Sequence, residues 1–395
     1  MDKKNKNPNV PNLRFSYKGD WSKRKLNEIC LFFKGNGLSK SDLSNEGFPC
    51  ILYGELYTTY KNEVISDIIS KTNTTLSNPF LSRNNDLIIP GSGEDPIDIA
   101  VARAIYQNDI ILGGDLNILR PKSNVSAAFL SYQLNGVRRY DIAKKAQGKS
   151  IVHLHNSDLK EVLVSIPSYD EQLHIVKLLT KIDEMIETQS KIIEEYVILK
   201  NSLIHRFFTM DNPKVKLSTI LTEINIKNKN KQIDTVLSVS NKLGFIKQSE
   251  QFEDREVASD DTSNYKIVNK GDYAYNPARI NVGSIARLIN YDKGIISPMY
   301  SCFKINEKKI TYTYFDMFLS SFSFKRQLNK KLEGSVRQCL TFEGMLSMDI
   351  ELPCIETQKS ISNKIDMLNY KIKLESDYRE ALIKQKQFLL NNMFI

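Results

Sequence analysis

The sequence predicts an α+β protein: two tandem α/β domains, each a twisted sheet with helices, separated by two long antiparallel coiled-coil helices with pseudo-two-fold symmetry. Three observations predict it: an internal repeat, two long stretches free of Gly and Pro, and short β-branched runs set between turn residues. Sliding the chain by 186 positions superposes Gly148 on Gly334, Leu154 on Leu340, Pro167 on Pro353, Gln172 on Gln358 and Ile175 on Ile361. The register continues through Ile186 on Ile372, Lys200 on Lys386 and Phe208 on Phe394, and upstream it places Asp86 on Asp272. A chain of 395 residues is also too long for one ordinary core.

In chain order, residues 1–19 form a tail rich in Lys and Asn. Residues 20–165 form the first domain, with strand-like runs such as Asp86-Leu-Ile-Ile. Residues 166–213 hold a central long helix, 214–352 a second domain with runs such as Lys293-Gly-Ile-Ile, and 353–395 a C-terminal long helix. The helical stretches proper, 170–209 and 356–394, contain neither Gly nor Pro. In the first, Ile175, Leu178, Ile182, Met185, Gln189, Ile192, Tyr196, Leu199 and Leu203 fall at alternating steps of three and four, the seam spacing of a coiled coil. In the second, Ile361, Ile365, Leu368, Ile372, Leu382 and Leu389 keep a similar spacing, with a polar interruption at Glu375 and Arg379. A helix of this length spans about 57 Å, more than a small domain is wide, so the two seams are expected to bury each other. Because each helix ends its own repeat, two-fold-like packing requires them to run antiparallel.

Composition narrows the function classes. The chain is 41% hydrophobic and 26% charged, with 55 Lys+Arg against 46 Asp+Glu, a formal charge of +9 and a pI near 9.0. That tilt favours a polyanionic partner such as nucleic acid. Five scattered cysteines without a CxxC pair argue against a disulfide framework or a zinc ribbon and for a reducing, cytoplasmic setting. No apolar run is long enough for a signal peptide or a membrane span.

The dense, repeated constellation is basic. Arg138, Arg139, Lys144, Lys145 and Lys149 lie around Gly148, and Lys325, Arg326, Lys330, Lys331 and Arg337 lie around Gly334. Ammonium and guanidinium groups clustered beside a glycine suit phosphate contacts. Base reading needs directional donors in loops, and the candidates are Lys34, Asn36, Lys40, Tyr57, Thr58 and Thr59 in the first copy. In the second copy they are Arg279, Asn281, Arg287 and Tyr300. Catalytic signatures are sparse. Gly91-Ser92-Gly93-Glu94 lacks the Gly-Lys-Ser/Thr ending of a phosphate loop and reads as a turn. The four histidines show no HExxH spacing, and Asn276-Pro277-Ala278-Arg279 lacks the second proline and aromatic of a base-flipping methyltransferase loop. No catalytic, cofactor-binding or metal-binding residue is assigned to the chain.

The stretches NNDLIIPGSGEDPIDIAVARAI (84–105), ILGGDLNILRP (111–121), IPSYDEQLHIVKLLTKID (166–183), KGDYAYNPARINVGSIA (270–286) and ISPMYSCFKI (296–305) carry a family resemblance. Through them the chain resembles the specificity subunit of type I restriction-modification enzymes over essentially its whole length. Pro167, Glu171-Gln172 and Ile175 at the start of the first long helix are its most recognisable signature; the second copy keeps Pro353, Gln358 and Ile361 but has Thr357 in place of Glu171. The resemblance implies two target recognition domains, each reading one half of a bipartite site on double-stranded DNA. It also implies helices that set the spacing and dock two modification (adenine methyltransferase) subunits. Restriction subunits with translocase and nuclease activity would join the same assembly. S-adenosylmethionine, ATP and Mg would then belong to those partners, and this chain would be non-catalytic. A self-contained DNA methyltransferase or nuclease, and a purely structural coiled-coil protein, are the alternative readings.

Overall fold

The computed structural model describes residues 9–209, 212–241, 243–251, 261–333 and 338–395. Two compact units share the chain: the first runs to Lys191 and adds Ser376–Ile395, and the second is Ile192–Glu375. Each unit takes a domain and part of both long helices.

The main sheet of the first unit has five strands: β1 (Cys30–Lys34), β2 (Val64–Ile65), β3 (Asp86–Pro90), β4 (Arg103–Ile105) and β5 (Leu116–Pro121), in the order β1-β5-β3-β4-β2. β3 is buried at all five positions, which is why its sequence is a continuous rather than an alternating apolar run. Helix α1 (Ala127–Asn135) lies on this sheet, with Ser126 capping its N-terminus by accepting from Phe129 N–H. Helix α2 (Tyr169–Phe207) follows as one uninterrupted rod, its first part in this unit.

In the second unit, β6 (Leu221–Ile224), β7 (Tyr273–Tyr275), β8 (Ile285–Arg287) and β9 (Ser301–Ile305) are ordered β6-β9-β7-β8. The three-strand pattern β1-β5-β3 thus recurs as β6-β9-β7, all antiparallel. Helices α3 (Tyr312–Ser320) and α4 (Phe322–Lys331) follow, and α5 (Ile355–Met393) closes the chain, its first part in this unit. In both units a short antiparallel ribbon precedes the long helix: Ser22–Lys25 with Leu163–Ile166, and Lys214–Lys216 with Asp349–Glu351.

The long helices run antiparallel within each unit. In the first, Ile175, Leu179 and Ile182 of α2 share a core with Leu389, Leu390 and Met393 of α5. In the second, Ile204 and Phe208 share a core with Ile361 and Ile365. Burial corrects the expected α2 seam. Met185 and Leu199 are exposed, and Leu178, Ile192, Tyr196 and Leu203 are only half-buried. Leu179 and Ile204 occupy the interior instead, while Ile175, Ile182 and Gln189 of the expected seam are buried. After Ile175 the inward step is four residues rather than three, and the adjacent leucines 178 and 179 made both phases read alike. The α5 positions hold: Ile361, Ile365, Leu382 and Leu389 are buried, Leu368 and Ile372 partly so.

Residues 9–19 of the tail pack on the rest of the first unit. Leu13 N–H donates to Asn392 O (2.8 Å), and Arg14 grips Glu171 with two 2.7 Å bonds. The Gly91–Gly93 segment is not a plain turn, because Ser92–Gly93 pairs with Val152–His153.

Candidate functional site

The basic clusters divide once their partners are visible. Arg139 sits on a short helix and donates twice to Ile97 O, while Arg138 donates to Ile395 O and pairs with Asp141. Both guanidiniums therefore serve the fold rather than a ligand. Lys144 and Lys149 are exposed, Lys145 half so, and Lys149 lies in a loop closed by the Gln147↔His153 bridge. Gly148 in that loop has φ 134°, and a Cβ there would meet Ile151 O at 2.0 Å, so only glycine fits. The second copy closes the corresponding loop with a Glu333↔Cys339 bridge; Gly334 and Arg337 lie outside the described residues.

Helix α4 presents its basic residues as a face. Phe324 and Leu328 are buried at i, i+4 spacing, which turns Lys325, Arg326, Lys330 and Lys331 outward. None of these four makes an ion pair among the described residues. Ser321 caps this helix by accepting from Phe324 N–H.

Among the expected base readers, Lys34 and Lys40 are exposed. Asn36 is spent: its amide donates to Asn78 O (2.8 Å) and accepts from Phe80 N–H (3.1 Å), bracing the 78–80 loop. Tyr57 and Thr58 lie on a short helix, Glu55–Thr58, rather than a loop, with Thr59 following it. Tyr57 is half-buried, and Thr58 Oγ1 donates to Gly54 O. Arg279 and Asn281 are exposed around a turn that Gly283 completes at φ 95°. Tyr300 is a correction: it is 8% exposed, its hydroxyl 3.1 Å from Ser238 Oγ, and it belongs to the core.

Two cavities gather polar side chains that are far apart in sequence. In the second unit an open cavity of about 480 Å³ brings together Arg287 from β8, Asp316 from α3 and Lys325 from α4. Arg287 pairs with Asp316 (2.8 Å) and lies over the Tyr312 ring (4.9 Å). Burial pushes the Asp316 carboxyl above its ordinary range, opposed by Tyr273, whose hydroxyl donates to it, and by Arg287. Arg287 Nε is buried without a hydrogen-bond partner, so the group is only partly satisfied. The sequence named Arg287 and Lys325 separately, and the fold places them together.

In the first unit a second open cavity, about 710 Å³, is walled by Phe33, Phe80 and Arg120, with Arg83 and Asp109 also lining it. Arg120 makes a bidentate pair with Asp86, both bonds 2.8 Å, which raises the guanidinium pKa further against the cost of burial. None of Arg83, Asp109 and Arg120 was legible as a site. Residues 84–86, Asn-Asn-Asp, did carry a turn signal, and Asn85 adopts the left-handed conformation that Asn tolerates, φ 69°. Among the described residues no group of three or more His, Cys, Asp or Glu could hold a metal ion, and no helix is long and apolar enough to cross a membrane.

Residues 18–195 match the family model described as the type I restriction modification DNA specificity domain. The chain is 21% identical to the type I restriction enzyme MjaVIII specificity subunit of Methanocaldococcus jannaschii, covering 94% of this chain and 91% of that one. The fold is similar to that of the type I restriction-modification S subunit from M. genitalium, with a TM-score of 0.60, 15% identity, and 98% and 99% of the two chains covered. A chain from a structural study of complex assembly and conformational transition in a type I R-M system gives a TM-score of 0.60 at 14% identity, over 96% and 98%.

Proposed function

We infer from its similarity to type I restriction-modification specificity subunits that this chain is one of them and is the sequence-reading component of such a system. The observation that carries the reading is the duplicated module. One three-strand order, one ribbon and one helix start occur twice in a single chain, as suits recognition of a bipartite site. Each domain reads one half-site on double-stranded DNA. The long helices set the number of unread bases between the halves and dock two modification subunits that methylate adenine. Restriction subunits with translocase and nuclease activity complete the cytoplasmic assembly. The chain itself catalyses nothing and acts by positioning, while S-adenosylmethionine, ATP and Mg serve the partners.

Local features support these roles. Lys325, Arg326, Lys330 and Lys331 on α4, with Lys144, Lys145 and Lys149 in the first unit, form the phosphate contacts, and Lys34, Lys40, Arg279, Asn281 and Arg287 stand near the groove. Met367, Tyr370 and Leu374 occupy one outward face of α5 at 70%, 67% and 47% exposure, an apolar strip that suits a helical partner. Mapping adenine methylation in the host genome with and without this gene tests the reading. A split motif should vanish on deletion, and inserting four residues near Gln189 should alter its unread spacing. A motif that persists without the gene refutes the assignment.

A further inference from the structure

The cavity beside β3 has a fixed wall and two uncommitted side chains. Arg120 is neutralised by the fully buried Asp86 and covered by the Phe33 and Phe80 rings (5.1 and 5.8 Å), so it is structure rather than reader. Arg83 and Asp109 are exposed, and neither side chain has a partner among the described residues, the other included.

Their backbones are nevertheless held firmly. Arg83 N–H donates to Asp86 Oδ2 (2.8 Å) and Asp86 N–H to Arg83 O (3.0 Å), which closes a tight turn. Asp109 sits at φ 64° in the facing turn and donates to Ser82 O (3.1 Å). Asn84 N–H donates to Asn108 Oδ1 (2.7 Å), and Ile110 N–H to Ser82 Oγ (3.0 Å), so the two turns form one platform. An unpaired cation and an unpaired anion are thereby mounted on rigid backbone over one open cavity, as preorganised recognition requires.

Resting on the reading of this unit as a half-site reader, we propose that Arg83 and Asp109 together read one G·C base pair. Guanine offers two adjacent acceptors, O6 and N7, to a guanidinium, and cytosine offers its N4 amino group to a carboxylate. A phosphate would be repelled by Asp109, which disfavours the cavity as a backbone site. The second copy keeps the turn but changes its tip: Asn269 stands where the first has Arg83, and its N–H donates to Asp272 Oδ2 (2.7 Å). A retained scaffold with an altered tip is what two half-sites of different sequence demand.

The test uses the full chain with its native modification subunits in a host lacking other adenine-methylating systems of this type. Methylation motifs are mapped for the wild type, Arg83→Ala and Asp109→Asn, and affinity is measured for the mapped site and for a random duplex. Each variant should relax one and the same G·C position of a single half-site, with specific binding falling roughly 5- to 150-fold and random-duplex binding nearly unchanged. An unaltered motif, or an equal fall for specific and random duplexes, overturns the proposal. The absence of a split motif in the wild type would instead refute the half-site reading itself.

Discussion

Lys386 and Lys200 are the same residue of the repeat, and the two units use them differently. In the first unit Lys386 reaches Asp183 and Glu63, both at 2.6 Å, with all three side chains largely buried, and Tyr132 donates to Asp183 (2.7 Å). In the second, Lys200 donates to Asn369 Oδ1 (3.3 Å) at the surface and makes no ion pair among the described residues; Asn369 is the repeat counterpart of Asp183. Burial works against the Lys386 ammonium, but the two carboxylates outweigh it and its pKa rises. Burial also pushes Asp183 upward, against the pull of Lys386. One geometry has therefore become an ionic lock in one copy and a solvated contact in the other.

The largest effect should come from breaking that lock. Lys386→Met leaves two carboxylates buried together and should cost about 3–5 kcal/mol by chemical denaturation, whereas Lys200→Met should cost below about 1 kcal/mol. Without the ammonium, the Asp183 pKa rises further in the folded state. A group raised on folding stabilises below its ordinary pKa and loses that contribution as pH rises through the folded value. The Lys386→Met deficit should therefore shrink as pH falls toward the carboxylate range, and a deficit independent of pH would show that the lock is not electrostatic.

A middle-sized effect sharpens what the copies share. Gln172 accepts from Ser126 N–H (2.9 Å) and donates to Asn124 O and Pro167 O; Gln358 accepts from Thr311 N–H (2.9 Å) and donates to Lys309 O and Pro353 O. Both glutamines are fully buried and latch a long helix to the start of a domain helix. Gln172→Ala and Gln358→Ala should each cost about 2–4 kcal/mol, from orphaned backbone groups. Hydrogen exchange at Ser126 and Thr311 would reveal any inequality between them.

The smallest effect concerns Glu171 and Thr357. Glu171 is held by Arg14, whereas the Thr357 hydroxyl, among the described residues, pairs with Cys354 Sγ in its own turn. Glu171→Thr should cost about 1–2 kcal/mol, from the lost pair with Arg14, and Thr357→Glu should be nearly neutral. Equal costs, measured by denaturant titration, would remove tail docking as the reason for the difference.

Much of the fold was legible because it rests on short-range spacing. The absence of Gly and Pro from the long helices and the run Asp86-Leu-Ile-Ile concern residues within a few turns of one another, and the repeat offset needs only the chain compared with itself. The seam of α2 slipped by one position because Leu178 and Leu179 are both apolar, and only the facing helix chooses between them. The site was less legible: Tyr300 and Asn36 looked like donors for a ligand, but the fold had already claimed them.

By itself the sequence determined that one module occurs twice, that each copy ends in a long amphipathic helix, and that the chain carries an excess of positive charge. The tertiary structure decided which charges remain available. Arg138 is bound by a carbonyl 257 positions away and Arg139 by one 42 positions away, while the face of α4 stays open. Hydrogen bonding consumes a donor wherever a distant acceptor happens to be folded against it, and no local pattern records that distance.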